Sequence, residues 1–143
     1  MPILAHLLLA LHAFAGPMLA DEITLFSADG TPTAYIDTAD ELTIYMWDGT
    51  PVAYLESDGV AFDIYGFNGL HLGWFEDGIV RDHQGKVVGF IQGAVALPTK
   101  FEPFKAFKKF KPIQSVQRIP PVKPVYRDSW SSTPLSLFLL AGR

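Results

Sequence analysis

The feature that most constrains this chain is a short motif that occurs four times between residues 23 and 92. Each copy is an apolar strand, a polar residue followed by glycine, and a second strand that carries an aromatic residue. The copies read ITLFSADGTPTAYID, LTIYMWDGTPVAYLE, FDIYGFNGLHLGWFE and GIVRDHQGKVVGFIQ. A single hairpin is marginally stable in water. Four hairpins with matching apolar faces must therefore stack linearly or close around an axis.

The turn glycines are 19, 20 and 16 residues apart. Asp-Gly and Asn-Gly favour tight hairpin turns because both central residues adopt positive φ at low cost. Residues five and seven positions before each glycine lie on one face of a strand, and they form an apolar face in the first three copies. The residues four positions after each glycine are all small, which predicts that other parts of the barrel approach them closely at a crowded position. The turn glycines are Gly30, Gly49, Gly69 and Gly85.

Two further sets of matched residues are candidate sites, because approximate symmetry would gather each set around one axis. The aromatic residues five positions after each glycine line a central opening or form barrel core, and we favour core. The polar residues seven positions after each glycine form a cation-binding ring or a solvated acidic rim, and we favour the rim. The channel candidates are Tyr35, Tyr54, Trp74 and Phe90, and the acidic-ring candidates are Asp37, Glu56, Glu76 and Gln92.

The pattern that recurs is a strand, an Asp-Gly or Asn-Gly turn, and a second strand with a small, an aromatic, an aliphatic and an acidic residue in succession. Over about residues 22–93 this pattern resembles the 4-fold β-flower family. The resemblance implies a shallow, pseudo-four-fold all-β barrel of four hairpins around an apolar channel. It also implies a lipid or membrane role and no established enzyme activity. The fourth copy departs from the pattern, with Arg81 where the other copies have an aromatic residue. Any function that breaks the symmetry is expected in this hairpin, which also carries His83 and Gln84.

Residues 1–20 are apolar apart from His6 and His12, and Asp21 and Glu22 follow them directly. We favour a secretory signal peptide for this segment, and the alternative is a retained apolar N-terminal helix. The chain would then be exported from a bacterial cytoplasm to the periplasm, the envelope or the medium. It would be membrane-anchored if the segment is retained.

From residue 101 to residue 125 every third residue is apolar. This period matches neither a helix nor a strand but polyproline II, which has three residues per turn and which prolines favour. We therefore predict a four-hairpin domain at 21–94, an extended basic Pro-rich tail at 95–127 and an apolar segment at 128–143. The last segment is expected to form a short helix or strand that plugs a groove, with Ser132 or Thr133 as its cap.

Charge is divided along the chain, with a net of −11 in residues 21–93 and +7 in residues 94–143. The tail is a disordered linker, docks through its apolar edge on its own acidic body or a neighbour's, or contacts an anionic membrane. Nucleic acid is disfavoured because the body is acidic. The candidate membrane or partner residues of the tail are Lys105, Lys108, Lys109, Lys111, Phe104, Phe107 and Phe110.

No sequence motif for catalysis or metal binding is present. The chain has no cysteine, which excludes disulfides, thiolate metal sites and a cysteine nucleophile. It has no G-x-S-x-G, H-E-x-x-H, P-loop or G-x-G-x-x-G. After residue 20 the histidines are His71 and His83, and we favour solvated turn residues over a metal pair. We expect no cofactor, no metal and no enzyme activity.

These observations favour a non-enzymatic envelope or secreted protein that binds an apolar ligand, a lipid or a membrane surface. Binding would use the barrel channel and the basic tail. The alternative is a structural or self-association module in which the tail docks on the acidic body.

Overall fold

Alternating apolar residues and turn glycines fold the repeats into four β-hairpins, seen in a computed structural model that describes residues 21–143. The N-terminal helix or signal peptide predicted for residues 1–20 lies outside the described residues. The strands are β1 (Glu22–Phe26), β2 (Pro32–Asp37), β3 (Thr43–Met46), β4 (Pro51–Ser57), β5 (Phe62–Gly66), β6 (His71–Glu76), β7 (Ile79–Arg81) and β8 (Val87–Phe90).

The eight strands pair in sequence order and close into an antiparallel barrel. Seven neighbouring pairs share ladders of three to five residues. The closing pair, β1 with β8, is joined at Phe26 and Phe90. The predicted all-β barrel of four hairpins is therefore confirmed. Within residues 21–143, no helix has the length and apolar character needed to cross a bilayer.

The hairpin turns share one geometry that differs in detail from the predicted one. In the first turn the Gly30 N–H donates to the Ser27 carbonyl at 2.8 Å, and the Ser27 N–H donates to the Thr31 carbonyl at 3.0 Å. Only the glycine has positive φ, 80°, whereas the prediction placed both central residues there. This is a type I turn followed by a left-handed glycine, which adds a bulge to the ladder. The register shifts at the same position in all four hairpins.

The barrel interior is lined by the apolar residues that the repeat predicted. The residues five positions before the turn glycines are at most 1% exposed, and Ala34 and Ala53 are fully buried. A Cβ atom on Gly89 would lie 2.9 Å from Leu135 Cδ2, and one on Gly73 would lie 3.0 Å from Phe138 Cζ. The prediction of a crowded position for these small residues is confirmed. The four apolar residues are Leu25, Ile44, Ile64 and Val80.

A helix near the chain end packs into this interior. Helix α1 (Leu135–Leu140) contacts β2, β4 and β8. It buries Leu135, Phe138 and Leu139 in the same core as the strands. Pro134 occupies the N-cap position and no side chain caps the helix, so the predicted cap at Ser132 or Thr133 is wrong. Because α1 is too short to be stable alone, packing against the barrel must stabilise it.

Replacement of a buried helix residue should therefore destabilise the whole barrel. Leu139 is fully buried, and Leu139→Ala should lower the free energy of unfolding by about 2–5 kcal/mol because it leaves a cavity. Leu137 is 60% exposed, and Leu137→Ala should change it by less than about 0.5 kcal/mol. Urea denaturation followed by tryptophan fluorescence measures both. Equal effects of the two substitutions would show that α1 does not belong to the barrel core.

Candidate functional site

The basic tail lies on the barrel as an extended strap, which we define as residues 98–127. The strap has no helix or strand, and it crosses the four hairpin turns in order. At each turn a strap N–H donates to the carbonyl of the turn glycine at 2.9–3.0 Å. The donor–acceptor pairs are Lys100 with Gly30, Lys109 with Gly49, Arg118 with Gly69 and Arg127 with Gly85.

The strap thus meets one hairpin every nine residues, or three turns of polyproline II. A Cβ atom on any of the four turn glycines would collide with a strap carbonyl, such as that of Phe107 at Gly49. Glycine is therefore needed at these turns for close approach of the strap as well as for positive φ. Between these contacts, the strap makes two further hydrogen bonds to the barrel that are also nine residues apart. The N–H of Ala106 donates to the Trp47 carbonyl, and the N–H of Ser115 donates to the Phe67 carbonyl.

One edge of the strap faces the acidic outer surface of the barrel. Lys108 Nζ lies 2.9 Å from Glu22 and also contacts Asp37. Lys111 Nζ lies 2.7 Å from Asp40. The residues of this barrel-facing edge that contact the barrel are Glu102, Lys105, Lys108, Lys111, Gln117, Lys123 and Tyr126. The tail therefore docks on the chain's own body through its polar edge, whereas the sequence predicted docking through the apolar one.

These contacts change the protonation equilibria of the groups involved. The Lys111 ammonium, and then the Tyr45 hydroxyl, lower the pKa of Asp40. Asp40 in turn raises the pKa of Lys111. Burial opposes charge on Glu22, but hydrogen bonds from Lys108 and Lys105 outweigh it and lower the pKa of Glu22. The ion pairs therefore hold these carboxylates in their charged forms under mildly acidic conditions.

The second edge of the strap is apolar and exposed. Its nine side chains are 87–103% exposed. Single exposed apolar residues are common on protein surfaces, but a continuous row of nine is not and indicates a binding surface. The third edge carries basic residues at the nine-residue contacts, and within residues 21–143 no carboxylate lies within 4.0 Å of the charged groups of Lys109, Arg118 and Arg127. The apolar edge is Phe101, Phe104, Phe107, Phe110, Ile113, Val116, Ile119, Val122 and Val125.

The four channel candidates do not line the barrel interior. Tyr35 lies between Ala34 and Ile36, both in the core, so its side chain points to the opposite, outer face of β2. There Lys105 Nζ lies 5.1 Å from the centroid of the Tyr35 ring. Tyr54 accepts a hydrogen bond from Gln117 of the strap at 3.0 Å. Trp74 packs near His71 and His83, and Phe90 near Phe26 and Trp130. Their role in binding a ligand stays a prediction.

The acidic-ring candidates are not gathered into one site. Asp37 is buried against Lys108, whereas Glu56 is exposed. Glu76 Oε1 lies 3.4 Å from Lys123 Nζ and 3.4 Å from the Tyr126 hydroxyl. Gln92 lies beside β1 at the closing seam, in a cavity of about 530 Å³. Among residues 21–143 no three His, Asp or Glu side chains are placed to share a metal ion.

The tail candidates divide between two edges of the strap. Lys105, Lys108 and Lys111 contact barrel acids. Lys109 lies on the third edge, where its Nζ is 3.3 Å from the Thr50 hydroxyl. The three phenylalanines, Phe104, Phe107 and Phe110, point into solvent. The structure therefore separates the lysines that bind the barrel from the residues that are accessible to a partner.

The two histidines meet across adjacent hairpins. His71 Nδ1 lies 3.0 Å from His83 Nε2, and His71 Nε2 lies 2.8 Å from Asp63 Oδ1. His71 is 7% exposed, so the prediction that it is a solvated turn residue is wrong. Trp74 and Tyr65 pack edge-on against its ring and account for the burial.

A protein-family model described as "4-fold beta flower protein" matches residues 23–139. The chain belongs to the 4-fold beta flower family. The match extends beyond the four hairpins, so the strap and most of α1 are part of the beta flower domain. No curated protein and no solved structure matches the chain.

Two parts of the candidate site escaped the sequence analysis. The strap carries a nine-residue repeat, in which Lys100, Lys109, Arg118 and Arg127 recur at equal intervals, and the more obvious period of three concealed it. Asp63 was overlooked because it lies eight residues from His71, on the neighbouring strand of the same hairpin. Only the fold brings the two side chains together.

The spacing of the strap donors can be tested with proline, which has no N–H. Ser115→Pro removes the 2.8 Å hydrogen bond to the Phe67 carbonyl and should lower the free energy of unfolding by about 0.5–1.5 kcal/mol. Gln114→Pro should have little effect, because proline suits an extended strap and no hydrogen bond of the Gln114 N–H to residues 21–143 is present. Amide hydrogen exchange of residues 109–127 measures both. Equal protection in the two variants would contradict the assigned register.

The ion pairs predict weaker attachment of the strap in acid. The pKa of Asp40 is lowered in the folded state, so the stability it contributes is present above its unfolded pKa of about 3.9. This stability should be lost as the pH falls through the lower folded value. Lys111→Met removes the main cause, so the variant should be less stable than the parent at pH 6, and the difference should shrink as the pH falls below about 3.9.

The control for this prediction is Lys109→Met, because the Lys109 ammonium contacts a hydroxyl instead of a carboxylate. It should keep the part of the parent's pH dependence that the Asp40 ion pair causes. Urea denaturation between pH 2.5 and pH 7 measures all three proteins. A constant difference between Lys111→Met and the parent across this range would disprove the role of the Asp40 ion pair.

Proposed function

We propose that this beta flower protein is a non-enzymatic, exported protein that binds an anionic membrane surface through the strap. The observation that carries the proposal is the apolar edge, whose nine side chains are 87–103% exposed. An exposed apolar surface of this extent on a folded protein marks a binding surface. The export part rests on residues 1–20, whose composition is typical of a signal peptide.

The strap presents its apolar edge in a fixed arrangement. Its backbone donates to the carbonyls of all four turn glycines, and its lysines bind carboxylates of the barrel. The apolar side chains therefore cannot turn inward without breaking these contacts. A surface that is already ordered loses less conformational entropy on binding.

Basic residues beside the apolar edge favour an anionic lipid surface over a neutral one. Lys109, Arg118 and Arg127 lie on the third edge, away from barrel carboxylates. Each basic residue near an anionic leaflet contributes about 1 kcal/mol of attraction. Adjacent aromatic and aliphatic side chains enter the headgroup region, as they do in interfacial amphipathic segments.

The barrel interior is a less suitable ligand site than the strap. The apolar residues of the strands and the buried face of α1 fill it. Self-association of the tail with the acidic body of a second chain is also less favoured, because Lys105, Lys108, Lys111 and Lys123 already bind carboxylates of their own barrel. An exposed apolar edge still permits association between two copies, and the experiment below distinguishes this outcome.

Co-sedimentation with vesicles tests the proposal. The parent protein, without residues 1–20, should bind vesicles that contain phosphatidylglycerol and should be released by high salt. Phe104→Ser/Phe107→Ser/Phe110→Ser should weaken binding by more than tenfold. The reason is that each phenylalanine transferred from water stabilises the bound state by about 1.5–3 kcal/mol, and 1.4 kcal/mol is tenfold.

Val60→Ser/Leu137→Ser is the matched control, because these apolar residues are exposed but lie outside the strap. It should bind like the parent. Light scattering on the same proteins without lipid shows whether the edge joins two copies instead. The proposal fails if the parent does not bind anionic vesicles, or if the triple phenylalanine variant binds them as well as the parent does.

A further inference from the structure

Within residues 21–143, Asp63, His71 and His83 form a cluster of close, chemically active side chains that makes no hydrogen bond to the strap. Asp63 Oδ1 and His71 Nε2 are 2.8 Å apart, and His71 Nδ1 and His83 Nε2 are 3.0 Å apart. Asp63 and His71 have side chains that are 13% and 3% exposed, whereas His83 is exposed in the turn before β8. The cluster therefore connects a buried carboxylate to an accessible imidazole.

Asp63 determines which nitrogen of His71 carries the proton. An ionised carboxylate accepts hydrogen bonds only, so His71 Nε2 must donate to Asp63 and Nδ1 presents a lone pair. A carboxylate that accepts from the far nitrogen is the usual second partner of a metal-binding histidine, and it raises the basicity of the ligand nitrogen. His71 is thus oriented and polarised as a metal ligand.

The two imidazoles meet end to end. Their planes differ by 12° and their centroids are 5.2 Å apart. This distance is the 3.0 Å between the bonded nitrogens plus about one ring diameter, as expected when both centroids and both nitrogens lie nearly on one line. The lone pair of one ring therefore points at the nitrogen of the other, with a single proton between them. This arrangement presents two donors on one line.

We propose that a soft monovalent cation, copper(I) or silver(I), is held between His71 Nδ1 and His83 Nε2 in place of this hydrogen. His83 Nε2 gives its proton to solvent and His83 Nδ1 takes one from solvent, so His83 changes tautomer and stays neutral, and no electron is transferred. A nitrogen–metal bond is about 2 Å long, so the ion holds the nitrogens about 4 Å apart, about 1 Å farther than in the hydrogen bond. Rotation of the exposed His83 side chain supplies this movement.

The surroundings favour a monovalent ion in two-fold coordination over zinc. Zinc sites in proteins are almost always four-coordinate, and residues 21–143 place no third His, Asp or Glu at this position. The cavity beside the pair, about 330 Å³, is also lined by Arg118. A monovalent cation adds one positive charge near the guanidinium, whereas a divalent ion would add two.

Aromatic rings pack against the pair. The Trp74 ring centroid lies 5.1 Å from that of His71 and 5.7 Å from that of His83. The groups that face the pair are Asp63 and Tyr65 of β5, Trp74 of β6, Asp82 beside His83 and Arg118 of the strap.

Binding should tighten as the pH rises through the histidine range, because metal ligands must lose their protons. At pH values near 5 protonation of the pair should weaken binding.

Titration with silver nitrate in chloride-free buffer tests the proposal without interference from copper oxidation. The parent for this test carries His6→Gln/His12→Gln, so that the remaining histidines are the proposed pair. We expect one bound ion and changes in the imidazole ¹⁵N shifts of both histidines. His83→Gln should weaken binding at least tenfold, and Asp63→Asn by about 10–100-fold.

Gln84→Ala, in the same turn, is the control variant and should bind like the parent. Circular dichroism confirms that each variant is folded before titration. The proposal is overturned if the imidazole nitrogens do not respond, or if His83→Gln binds silver as tightly as the parent. Unchanged binding by Asp63→Asn would show that the carboxylate does not position His71.

Discussion

The contact between the strap and the four turn glycines is the constraint on which the rest of this structure depends. Each turn carbonyl accepts a strap N–H at 2.9–3.0 Å, and each glycine lacks the Cβ atom that would prevent this approach. Nine residues separate successive contacts, which is three turns of polyproline II. The barrel therefore fixes the rotation of the strap about its own axis, so one edge faces the acids and another faces solvent.

This fixed rotation explains the division of charge along the chain. The acidic hairpins and the basic tail are partners within one molecule, since Lys108 and Lys111 bind Glu22 and Asp40. Opposite charges in separate segments are therefore weak evidence for an external partner here. The apolar edge is stronger evidence, because burying it inside the domain would require the strap to rotate and lose both its hydrogen bonds and its ion pairs.

The repeat was sufficient to predict four hairpins, the buried positions of Leu25 and Ile44, and the barrel. It was insufficient to place Tyr35, because both faces of β2 carry apolar side chains and alternation does not say which face is interior. The strap determines which face is outer, since Lys105 of the strap covers the Tyr35 ring there. Long-range contacts such as these, and the approach of His71 to His83, depend on closure of the barrel rather than on local sequence.

The fourth hairpin shows how a departure from symmetry is accommodated. Pro124 takes the place of Ala106 and Ser115 in the nine-residue repeat and has no N–H to donate. Arg81, which replaces an aromatic residue, donates instead to the carbonyls of Arg127 at 2.6 Å and Gly85 at 3.1 Å. Because a side chain fastens the strap at this hairpin, the carbonyl of His83 is not needed as an acceptor. The side chain of His83 instead meets His71 at 3.0 Å, so the fourth hairpin departs from the repeat both in how it holds the strap and in the histidine pair.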